Sequence, residues 1–136
     1  MNKTNNIAAV VGRVLIGVLF LMSGLSKVAA PAATQGYITM MGLPAPFFAY
    51  LGSTAIELIG SLLLIAGYRV RSVALAMAGF TFLTALFFHH NFADQNQMIH
   101  FLKNIAIIGG LLQVFAFGAG SFSLDARRGS AAAQAA

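Results

Sequence analysis

Apolar residues run almost without interruption through four stretches of the chain, about residues 7–28, 47–68, 73–89 and 99–117. Each is close to the roughly 20 residues a helix needs to cross a hydrocarbon core. Only helices and closed barrels satisfy every backbone polar group in lipid. These runs are continuous rather than alternating, so the pattern predicts helices. Consecutive spans reverse direction, which gives an all-α membrane protein built as an antiparallel four-helix bundle. Breakers fall between the runs: Pro31, Gly36, Gly42, Pro44 and Pro46 after the first, Gly67 after the second, and Gly118 and Gly120 after the fourth. Residues 1–125 read as one membrane domain. Residues 126–136 are low in complexity and expected to be a disordered tail.

Composition agrees with the pattern. The chain is 59% hydrophobic and 8% charged, against roughly 25% charged in an average soluble domain. Its net charge of +5 sits at the ends of apolar runs and not in a basic face interleaved with aromatics, so nucleic acid is not an expected partner and the lipid bilayer is. With the N-terminus in the cytoplasm, that side holds Lys3, Arg13, Arg69, Arg71, Arg127 and Arg128, and the other holds Lys27 and Lys103. The positive-inside bias therefore places both termini in the cytoplasm. The first run has the basic start and small-residue end of a secretory signal. It is long for one and is interrupted by Arg13, so it is read as a retained span. The absence of cysteine excludes disulfides, thiolate chemistry and cysteine-held clusters. Small residues at four-residue spacing, Gly52 and Gly60 among them, with Ala74 and Ala78, and Ala106 and Gly110, mark close helix packing.

Glu57 is the anomaly. It lies in "STAIELIGSLLLIAG", near the middle of the second span. An ionised carboxylate at that depth costs on the order of 3 kcal/mol on the lenient insertion scale, so it should be paired inside the bundle or protonated. With every span starting at the same level, Glu57 lies roughly 15 Å deep, Arg13 roughly 22 Å and Lys103 about 6 Å. Arg13 is then the expected partner, Lys103 the second choice and Lys27 a more distant one. Gln113 falls at Arg13's depth and would complete the network. Such a pair either clamps the bundle or handles a proton or ligand.

A second polar group lies at the outer ends of the last two spans. His89 and His90 end the third; His100, Lys103 and Asn104 begin the fourth. With Lys27 they would line a polar pocket suited to a quinone headgroup or small anion. No metal site is expected, and no haem, nucleotide or nucleophile–base arrangement is evident.

The ordered set "GRVLIGVLFLMSGLSKV", "ELIGSLLLIAGYRVRSVALAMA", "FFHH", "FLKNIAIIGGLLQ" and "GAGSFSLD" resembles the DoxX family of small four-helix bacterial inner-membrane proteins. The resemblance spans about residues 12–125, and Arg13, Ser23, Gly24, Lys27, Glu57, Arg71, Lys103, Asn104 and Asp125 match its pattern. It implies a multi-pass protein of the inner membrane, acting as an auxiliary or subunit in a quinone-linked redox or quinone-detoxification system. A quinone is the ligand it implies and a redox protein the partner. It supplies no agreed catalytic set, so whether the chain is itself an enzyme stays open, as does a homo-oligomer. A small-solute permease or binding protein, and a structural membrane partner without catalysis, are the alternatives.

Overall fold

The computed structural model describes residues 1–135 as helices joined by short turns. Four helices have the length and composition of membrane spans: α1 (Lys3–Ala29), α3 (Pro46–Ala66), α4 (Val70–Phe88) and α5 (Gln95–Phe117). Two shorter ones join them, α2 (Pro31–Met40) and α6 (Leu124–Ala135). The region expected to be only a breaker-rich connection thus contains α2. There Pro31 occupies the first turn, where its missing N–H would have no intrahelical partner anyway. The tail expected to be disordered continues as α6, an exposed helix whose alanine-rich sequence favours that state.

Local signals set the ends of the spans. The Asn2 side chain accepts from the Asn5 N–H to start α1, and Asp94 accepts from Asn96 and Gln97 to start α5. α3 ends at Gly67, whose φ of 75° lets the Gly67 and Tyr68 N–H groups turn back onto the Leu64 and Leu63 carbonyls. Arg69 opens α4 in a left-handed conformation with no side-chain cap of its own. Asp125 supplies that cap from the far end of the chain, accepting from the Arg69 and Val70 N–H at 2.7 and 2.9 Å. Asp125→Ala should cost about 1 kcal/mol, read as a lower unfolding midpoint in mild detergent, while Asp125→Asn should keep most of the stability.

α1 packs along α3, and α4 along α5; α3 meets α4, while α1 and α5 touch more sparsely. The α1–α3 seam explains its sequence. Arg13, Gly17, Phe20 and Gly24 are the buried residues of α1, spaced four, three and four apart, so they form one stripe. A Cβ at Gly17 would run into the Ile65 side chain, and one at Gly24 would lie 2.7 Å from Leu58 Cδ2 and 3.3 Å from Glu57 Cβ. The two backbones therefore approach closely, as small residues allow in membrane bundles. On α3 the buried line is Thr54, Glu57, Gly60, Ser61 and Leu64. Gly60 receives Met77 of α4, whereas Gly52 is open on one side. Large apolar side chains such as Leu15, Met22, Phe48, Leu62 and Leu102 point outward, as a bilayer requires and water would not.

Candidate functional site

The packing register decides what Glu57 meets. Gly24 lies against Glu57, and Gly17 against Ser61 and Ile65. Ala29 is therefore level with about Gly52, and α3 begins roughly 9 Å beyond the end of α1. Lys27 then falls one turn from Glu57, on the same face as Ser23. Its Nζ donates to Glu57 Oε2 at 2.7 Å, to Oε1 at 2.9 Å and to Ser23 Oγ at 3.0 Å, while Ser23 Oγ donates to Oε1 at 3.2 Å. Glu57 is buried, whereas the Lys27 side chain is 23% exposed, so the pair is reached from one side only.

That side is a cavity of about 1000 Å³ between the α1–α3 and α4–α5 pairs, covered by α2. Leu19, Phe20, Phe80, Leu83, Phe87 and Ile107 give it an apolar body. Tyr37 of α2 stacks on Phe88 of α4 at 5.5 Å between ring centroids and pins the cover in place. On the wall opposite the ion pair, Lys103, Asn104 and His100 of α5 join His89. The His89 and His100 rings stack at 5.1 Å. Burial, with His100 adding to it, pushes the His89 imidazole below its ordinary range.

The hydrogen-bond inventory assigns the walls different capacities. Lys27 spends its three donors on Glu57 and Ser23. Thr81 and Thr84 donate to the Met77 and Phe80 carbonyls and Ser53 to the Tyr50 carbonyl, leaving their oxygens as acceptors. The Lys103 and Asn104 side chains make no hydrogen bond among the described residues, so donors for a guest lie on α5, facing a carboxylate and its lysine on α1 and α3.

Arg13 is not the partner of Glu57. Its Nη1 donates to the Leu64 and Ile65 carbonyls at 2.9 and 3.1 Å, and its Nη2 to the Phe122 carbonyl at 2.8 Å. It neutralises the C-terminal end of α3 and ties that end to the segment before α6, a position where a cation meets the negative pole of the helix. Lys103 lies across the cavity and does not bond Glu57. Gln113 is exposed on α5 with no hydrogen bond and belongs to neither network, and His90 is exposed outside the cavity. The error in the expected pair has one cause: the spans do not start level. Ser23, which the residue-by-residue reading passed over, completes the site. Its four-residue spacing to Lys27 was the available signal.

Comparisons with known proteins complete the description. The DoxX family model matches residues 8–90. The chain is 37% identical to the inner membrane protein YqjF of Escherichia coli K12 over 125 residues, 92% of this chain and 95% of that one. It is 29% identical to the inner membrane protein YphA of the same organism over 86% of this chain and 87% of that one. It is also 38% identical to the "Putative oxidoreductase CatD" of Bacillus subtilis 168 over 57% of each chain. No solved structure matches. Four apolar spans, a family match covering more than half the residues, and a relative shared almost end to end lead to one conclusion: this multi-pass membrane protein belongs to the DoxX family.

Proposed function

We propose that the chain is an inner-membrane accessory of a quinone-linked redox or oxidative-stress system, and that it holds a quinone-type ligand in the cavity beneath α2. The observation that carries this is the pairing of a large apolar cavity within the span with polar groups on opposite walls. A quinone carbonyl is an acceptor that Lys103 and Asn104 can serve, and its ring fits against Phe80 and Phe87. Glu57, held by Lys27 and Ser23, would accept a proton from a quinol hydroxyl. Two relatives carry inner-membrane names and a third, matched over part of its length, an oxidoreductase name. Electrons would pass to or from a partner redox protein.

Gly52 lines the cavity, and a Cβ there meets nothing within 4 Å, so Gly52→Phe adds apolar bulk at the cavity wall where its first carbon has room. Purified protein in neutral detergent should bind a short-chain ubiquinone saturably, and Gly52→Phe should weaken binding by about tenfold or more at unchanged thermal stability. Absence of binding to the unaltered chain, or equal binding to the filled variant, would remove the quinone from the cavity.

A further inference from the structure

The chain has three acidic residues, and all three are engaged. Glu57 is bound by Lys27 and Ser23. Asp94 accepts from the first N–H groups of α5, and Asp125 from the Arg69 and Val70 N–H of α4. Lys103 lines the same cavity as Glu57, yet among the described residues its side chain has neither a carboxylate partner nor a hydrogen bond. The Lys27–Glu57 patch is neutral as a unit. The cavity therefore carries an uncompensated positive charge on its α5 wall, next to an apolar body.

Lys103 is exposed near the start of α5, so its ammonium is available to a guest in the cavity. Small hydrated anions do not enter such a space readily, because the apolar walls return nothing for their lost hydration. An anion carried on an apolar body does, since its chain matches the apolar walls while its charge meets the cation. We infer that the cavity takes an amphiphilic monoanion, its charged group on Lys103 with Asn104 and His100 at hand, its apolar body against Phe80, Phe87 and Ile107. A free amphiphilic acid and an anionic phospholipid headgroup share this chemistry. The inference rests on the cavity being the ligand site, as proposed above, but not on the ligand being a quinone.

Full-length protein in phosphatidylcholine nanodiscs, corrected against empty discs, is equilibrated with labelled dodecanoate and with dodecanol, its uncharged counterpart. Dodecanoate should bind saturably and at least about tenfold more tightly than the alcohol. Lys103→Gln should abolish that preference and Lys103→Arg retain it; the Lys103 side chain is exposed and makes no hydrogen bond among the described residues. Loss of dodecanoate binding when phosphatidylglycerol replaces part of the lipid supports the anion and assigns its source to the bilayer; no competition supports it and assigns the source to a free acid. Equal binding of acid and alcohol, or a preference that survives in Lys103→Gln, overturns the inference. Quinone binding without dodecanoate binding removes the anion and leaves the proposed function standing, and the opposite pattern removes the quinone alone.

Discussion

Lys27→Met is expected to destabilise the bundle by about 3 kcal/mol, and the double variant Lys27→Met/Glu57→Leu to recover most of that loss. The single change leaves a buried carboxylate with only the Ser23 hydroxyl, at 3.2 Å, as donor. An unpaired charge in that position costs more than the pair contributes, because the pair has itself given up hydration. Removing both charges removes that cost and fills the space with apolar atoms. The lysine side chain is partly open to the cavity, so water softens the penalty and keeps it at the lower end of the usual range for buried pairs. Thermal unfolding in mild detergent reads the difference. The double variant should also lose quinone binding while remaining folded. A double variant as unstable as the single one would mean that the ion pair is indispensable to docking α1 on α3. A stable double variant that binds quinone normally would mean that the pair has no part in the site.

Arg13→Ala should be comparably costly, by roughly 3–5 kcal/mol, since it deletes three charge-assisted hydrogen bonds and leaves the Ile65 and Phe122 carbonyls without their donor. Arg13→Lys should recover less than half, because one ammonium cannot span the fork that reaches Leu64, Ile65 and Phe122 together. Gly67→Ala should act in the same direction: its Cβ would fall 2.6 Å from Arg13 Nη1 and 2.5 Å from Ser123 Cβ, at a φ of 75°. These losses should leave ligand affinity of the folded fraction unchanged, because Arg13 sits at the end of α3 opposite the cavity mouth. A double-mutant cycle between Arg13 and Glu57 should give a coupling within about 0.5 kcal/mol of zero. A coupling well above that would restore the pair that depth alone suggested.

The spans were legible because lipid imposes a plain rule: long apolar runs, punctuated by Gly, Pro and charge. α2 was not legible, because ten residues between Pro31 and Met40 are too short for a span and rich in breakers. α6 was hidden by low complexity. The polar residues were legible as unusual, since every intramembrane charge is, but their grouping was not. The sequence groups Glu57 with Arg13, Gln113 and Lys103, and Lys27 with Lys103, Asn104, His89 and His100 in an outer pocket, whereas Glu57, Lys27, Lys103, Asn104, His89 and His100 line one cavity. The missing information was the register of α1 against α3. Gly17 and Gly24 set that register by close approach, and no count of residues from the ends of the apolar runs supplies it. Arg13 was misplaced for the same reason, although an arginine at the level of a glycine-terminated helix end is a recognisable cap.

The most direct test is to identify what the protein carries. Wild-type chain and the Lys27→Met/Glu57→Leu variant are isolated side by side in a gentle detergent from the same membranes, and bound small molecules are extracted and measured by mass spectrometry. A cavity that serves a quinone should yield a quinone near one per wild-type chain and only lipid background in the variant. Equal quinone in both preparations, or none in either, would contradict a quinone site in which the Lys27–Glu57 pair takes part.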